Sequence, residues 1–166
     1  MDILDRLLGH DAWTTRQLLL RCRELTDAQL DRPFDIGDRS LRVTFLHILE
    51  NMEVWTDRIA ARPVRSLPDG PYPVEGLLDR LSLAAKELAD VSHRIRDEGR
   101  LDQMYADPGE EPPIPRPFGG MIVHVITHSM HHRAQALCIM EQLGLTDLPE
   151  GDALDWEHQA FGWRSG

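Results

Sequence analysis

Four of the chain's eight histidines fall within nine residues, at His124, His128, His131 and His132. The stretch 122–143 around them contains neither Pro nor Gly and reads as a helix. On a helix, side chains four apart stand one above the other, with Cβ atoms about 5–6 Å apart. Two imidazoles stacked in that way can share a divalent cation, and imidazole suits zinc, nickel, copper or iron. Advancing about 100° per residue centres an apolar stripe on Met121, Ile122, Val125, Ala136, Ile139, Met140 and Leu143. His132 falls roughly 40° and His128 roughly 80° from that centre, so both face the bundle or its edge. His124 and His131 lie beyond about 100° and are expected to face solvent or a neighbouring chain. A metal site needs at least one more protein ligand. Without one, two half-buried histidines hydrogen-bonded inside a core account for the same pattern.

The elements that must position these residues are helical. Asp2 can cap a helix over 2–25, with Ile3, Leu4, Leu7, Leu8, Leu18 and Leu19 as its apolar stripe. Thr26 and Asp27 begin a local turn, and 33–38 reads as loop. Ser40 caps a second helix over 41–61, striped by Leu41, Phe45, Ile48, Met52, Trp55 and Ile59. Pro63, Pro68, Gly70 and Pro71 interrupt the chain, and Pro73 opens a third helix over 73–99. The histidine helix spans 120–143. Strand-like alternation is almost absent, so the expected fold is all-α. It is a single domain over 1–166, built as a four-helix bundle of antiparallel helices. The loop 101–120 holds five prolines and three glycines and cannot continue a helix. At that length it reads either as a lid over a site or as a stiff, solvated connector. The tail 144–166 carries Trp156, Phe161 and Trp163, expected to pack on the bundle or on a second subunit.

Composition narrows the partners. Lys+Arg 18 against Asp+Glu 28 gives a net charge of −10, which repels nucleic-acid phosphates. No apolar run reaches the roughly 18 residues of a membrane span, and Asp2, Asp5 and Arg6 interrupt the only candidate leader. Cys22 and Cys138 lack Cys-x-x-Cys spacing and fit reduced thiols of a cytoplasmic protein. The expected partner is a small molecule, not nucleic acid or membrane. Leu20, Leu46, Leu49 and Leu137 sit off their main stripes, and with the tail aromatics they lead to the expectation of a homodimer.

Helix 2 carries one histidine, His47, at the edge of its stripe beside Asn51 and Val54; alone, that position fits a flank residue. Three strings resemble the DinB superfamily of damage-inducible and YfiT-like metalloenzymes, and together they cover nearly the whole chain. They are Leu8-Gly9-His10-Asp11-Ala12-Trp13; Thr44-Phe45-Leu46-His47-Ile48-Leu49-Glu50 with Trp55 behind it; and 124–135. The last carries most of the likeness, because His128-x-x-x-His132 is followed by Arg133-x-Gln135. The first is looser, since relatives often carry Asn soon after the Trp, where this chain has Thr14 and Thr15. The resemblance implies a four-helix bundle with one metal ligand on the second helix and two on the fourth, here His47, His128 and His132. His124 and His131 match family positions that are not ligands. It also implies a divalent cation (zinc or nickel), dimers, a stress-response setting and, in part of the superfamily, a thiol co-substrate such as bacillithiol, mycothiol or glutathione.

Three neutral imidazoles leave the ion its full charge and open positions, as in catalytic rather than structural sites. The leading expectation, which the resemblance implies, is a metal-dependent, thiol-transferase-like enzyme whose nucleophile is a metal-bound thiol and whose catalytic side chains are unknown. A metal-dependent hydrolase and a non-enzymatic metal-binding bundle are the alternatives. Asn51 and Gln135 are candidates to orient a ligand imidazole, whereas Glu50 fits an ordinary polar flank. Other sites fail on spacing. A di-iron bundle needs two Glu-x-x-His motifs, and the chain has none. A zincin needs Glu directly after the first histidine, where this chain has Ser129. There is no Gly-x-Ser-x-Gly and no glycine-rich phosphate loop.

Overall fold

Caps set where the helices start. The structure is a computed structural model and describes residues 1–36, 40–66, 72–149 and 151–162. Asp38, Pro68, Gly70, Pro71 and Trp163 lie outside the described residues. Helix α1 (Ile3–Arg21) opens on a capping box, Asp2 accepting from Asp5 N and Asp5 from Asp2 N, and a 3-10 turn, Cys22–Glu24, extends it. Thr26 and Gln29 open the short helix α2 (Asp27–Leu30) in the same way. Ser40 caps α3 (Leu41–Ile59), and α4 (Val74–Asp97) follows Pro73. The histidine helix is α5 (Phe118–Gln142), and Asp152 caps a further helix in the tail, α6 (Ala153–Phe161). The all-α expectation holds; α6 is additional to it.

Helices α1 and α3 each pack against both α4 and α5, so α1 faces α3 across the diagonal of the bundle. Ion pairs fix the directions. Arg23–Glu75 and Arg96–Asp2 join opposite ends of α1 and α4, which are antiparallel. His47–His128 and Trp55–His124 make α3 and α5 antiparallel. By contrast, Arg133–Asp11 and the Arg21 bond to the Asp147 carbonyl make α1 and α5 parallel. Arg42 on the Tyr72 carbonyl and Arg65 on Glu87 likewise make α3 and α4 parallel. The expectation of antiparallel helices throughout is thus corrected for two neighbouring pairs. Apolar stripes specify which faces meet and not which way the chain runs; only short loops force antiparallel neighbours.

The core holds Leu18, Leu19, Phe45, Ile48, Met52, Leu77, Leu88, Ile95 and Phe118, all fully buried. Each contributes about 1.5–3 kcal/mol of burial free energy. Leu49 belongs to this core at 0% exposure, and Leu20, Leu46 and Leu137 pack half-buried against it. These four leucines therefore do not form the outer apolar surface that the dimer expectation drew on. Trp156 of α6 is buried against Gly9, where an added Cβ would meet its Cζ2 at 2.6 Å. Among the described residues no helix is long and apolar enough to cross a membrane. Cys22 is buried, which pushes its thiol up to about 12, and Cys138 is exposed; both are free.

The segment before α5 is an arm rather than a plain loop. Strand β1 (Met104–Tyr105) pairs antiparallel with β2 (Arg116–Pro117). Gly119 N donates to the Leu101 carbonyl at 2.7 Å, an approach in which an added Cβ would sit 3.1 Å from that oxygen. Phe118 is buried and stacks on Tyr105, so α5 starts two residues earlier than the glycine pair suggests.

Candidate metal centre

Because α3 and α5 run antiparallel, one turn of α3 faces two turns of α5, and His47 meets His128 and His132. One ring nitrogen from each residue lies within 4.8 Å of the other two. Ring centroids are 5.0 Å apart for His47–His128, 4.6 Å for His47–His132 and 4.4 Å for His128–His132. The Nε2 atoms of His47 and His128 approach to 3.0 Å. Two ligand nitrogens, each about 2.05 Å from one tetrahedral ion, stand about 3.3 Å apart, so the spacing fits a shared cation. At 3.0 Å the two nitrogens share a proton, one ring donating and the other accepting. A divalent ion held between these rings would take the place of that proton.

The protonation state suits the same role. Burial first, then the neighbouring His132 and His47, hold the His128 imidazole down at about 4. It is neutral at pH 7 and offers a lone pair. His132 is 9% exposed, and its Nδ1 donates to Gln135 Oε1 at 2.7 Å. That bond places the proton on Nδ1, so the lone pair of this ring is on Nε2. The Gln135 amide nitrogen donates in turn to His131 Nε2 at 3.1 Å. Asn51 stands one turn after His47; its Nδ2 is buried with no hydrogen-bond partner among the described residues. Glu50 is half-buried and exerts its charge on Arg80 of α4, as a flank residue does.

Sequence reasoning missed what holds the histidine helix from behind. Arg133, directly after His132, is 4% exposed and donates to the Asp11 carboxylate and, at 3.2 Å, to Thr15 Oγ1. Asp11 is buried, and burial pushes its carboxyl up against the pull of Arg133. The pair ties α5 to α1 and so turns His132 toward α3. Both residues stood in the strings that carried the family likeness, but no spacing rule says that they meet. A sequence model of the DinB family matches residues 1–163.

This chain belongs to the DinB family.

A DinB-like protein from Bacillus cereus ATCC 10987 has a similar structure, with a TM-score of 0.64 at 22% identity, covering 84% of this chain and 89% of that one. A protein assigned to the DinB family from Exiguobacterium sibiricum 255-15 gives a TM-score of 0.63 at 21% identity, covering 90% of this chain and 95% of that one. At such identities the likeness is one of fold. No curated protein matches the chain.

Beside the histidines this DinB-family chain has a cavity of about 330 Å³, lined by Trp55, Arg116, Pro117, Gly120, Met121 and His124. The exposed His124 ring stands 4.8 Å from Trp55 and 5.3 Å from His128, so it joins cavity and cluster without belonging to the ligand group. The arm is fastened next to this cavity: Arg58 pairs with Asp107 at 3.1 Å and Glu110 at 3.5 Å, and Glu110 with Arg116 at 2.7 Å. Spacing did hold a signal for the cavity. Trp55 lies eight residues after His47 and His124 four before His128, which on antiparallel helices places them together.

Proposed function

We propose that this DinB-family chain is a metal-dependent enzyme in which His47, His128 and His132 hold zinc or nickel and a low-molecular-weight thiol is transferred to a small electrophile. The observation that supports it is the convergence of three imidazoles, one of them held neutral by its surroundings, beside a cavity. A divalent ion with three neutral ligands lowers the pKa of a thiol or water bound to it and so supplies a nucleophile at neutral pH. The chain's own residues arrange that site. Gln135 fixes the tautomer of His132, and Arg133 with Asp11 holds the helix that carries it. Ser129 occupies the position of the zincin base, so the motif offers no carboxylate to activate water. A thiol, much the stronger acid, needs no such base, and this favours thiol transfer over hydrolysis.

The test offers metal-loaded protein a panel of thiols together with a haloaromatic or an epoxide. Turnover should require both metal and thiol, and His47→Ala or His128→Ala should abolish it together with most of the bound metal. Turnover with water and no thiol makes the chain a hydrolase. A filled site with no turnover on any pair makes it a metal-binding bundle.

A further inference from the structure

We infer that the cavity beside the three histidines is a binding site for small aryl carboxylates, with Arg116 holding the carboxylate and Trp55 covering the ring. Its size falls within the range of small-ligand pockets, about 300–1,000 Å³. Trp55, Pro117 and Met121 give it apolar walls. Arg116 enters from the arm, with its guanidinium carbon 5.6 Å from the Trp55 ring. Among the described residues only Nη1 of that guanidinium is engaged, by Glu110 at 2.7 Å and the Ile114 carbonyl at 3.2 Å. Nε and Nη2 have no partner among the described residues, and the side chain is 30% exposed. Those two nitrogens form the edge with parallel N–H bonds that matches a carboxylate in bidentate fashion.

The surrounding charges favour recognition by hydrogen bonds over recognition by field. Asp107 and Glu110 balance Arg58 and Arg116, so the cavity carries little net charge. An anion gains there from donors that are otherwise unused, not from a general attraction. His124 lines the cavity and its ring stands 5.3 Å from that of His128, so an acid seated against Trp55 lies beside the histidine cluster. As the seat of a substrate, the cavity rests on the metal-enzyme reading; as a ligand site it stands apart from it.

The experiment is calorimetric titration of the metal-free full chain with benzoate, benzamide and benzylammonium, with the Trp55 indole N–H followed by NMR. Benzoate should bind with a roughly millimolar dissociation constant, at least about tenfold more tightly than the other two, and should shift Trp55. Arg116→Gln should weaken benzoate by about tenfold or more and leave benzamide unchanged. Glu110→Gln, which frees Arg116 from its counter-ion, should tighten benzoate, whereas mere damage to the arm would weaken it in both variants. Equal binding of benzoate and benzamide, no shift at Trp55, or weakening by Glu110→Gln overturns the inference. His47→Ala should keep benzoate binding, so loss of the metal reading and loss of the cavity reading show as different results.

Discussion

Replacing Gln135 by Leu separates the tuning of the proposed metal site from the stability of the bundle. The side chain makes two bonds at the site, accepting from His132 Nδ1 at 2.7 Å and donating to His131 Nε2 at 3.1 Å. Leu keeps the bulk and removes both, so the His132 ring loses its Nδ1 acceptor and can carry its proton on Nε2, where it would block ligation. Outer partners of metal-bound histidines are worth about 10–100-fold in affinity, or about 1.4–2.7 kcal/mol. A half-exposed neutral hydrogen bond is worth about 1 kcal/mol or less to folding. Gln135→Leu should therefore bind zinc about 10–100-fold more weakly in competition with a chromophoric chelator, while the urea midpoint of the metal-free protein moves little. Gln135→Glu keeps an acceptor for Nδ1 and should retain wild-type affinity or exceed it. Equal affinity in the Leu variant, or a loss of more than about 2 kcal/mol of metal-free stability, would refute the reasoning.

Arg133→Met leaves the Asp11 carboxylate buried without its cation and should cost about 3–5 kcal/mol in urea unfolding, most of it regained when Asp11→Leu is added. A loss below about 1 kcal/mol would show that the pair is not what joins α1 to α5. In metal-free protein the His128 ring should titrate near 4 by NMR, and a midpoint near its ordinary 6.5 would contradict the packing described. Because the unfolded chain takes up that proton first, this residue's contribution makes folding less favourable as pH falls from 6.5 toward 4. We also propose that the chain is a homodimer, now through Ile3 and Leu7 of α1 with Val123 and Met130 of α5, which are large and exposed. A single 19.0 kDa species by light scattering at micromolar concentration would exclude it.

Much of this was legible in the sequence, for identifiable reasons. Asp2, Ser40 and Pro73 mark helix starts because caps act within a few residues, and local chemistry survives folding unchanged. The wheel separated His128 and His132 from His124 and His131 because helical phase is also local, and the burial of α5 follows it. His47 needed the family likeness, since one histidine at the edge of a stripe carries no information about what faces it. The Arg133–Asp11 pair and the ties from Arg58 to the arm join residues far apart in sequence. Their meeting depends on helix direction, which apolar periodicity does not encode. Helix α6 went unread because its only buried residue, Trp156, gives no stripe to recognise.

The parallel course of α3 and α4 sets a minimum length on the chain that joins them. Helix α3 has 19 residues and is about 28 Å long, so the chain leaving Ile59 must return nearly that distance before Val74 can start. At about 3.3–3.6 Å per extended residue, the return takes roughly eight or nine residues, and residues 60–73 provide fourteen. Deleting three or four residues there still leaves enough chain to span that distance. Deleting nine leaves too short a tether, and α4 must then turn over and pair antiparallel with α3. That reversal would carry Arg80 away from Glu53 and Arg96 away from Asp2. A Pro- and Arg-rich stretch that looks dispensable by composition is therefore the measure of how the bundle can be wound, and its deletion tolerance should end abruptly rather than fade.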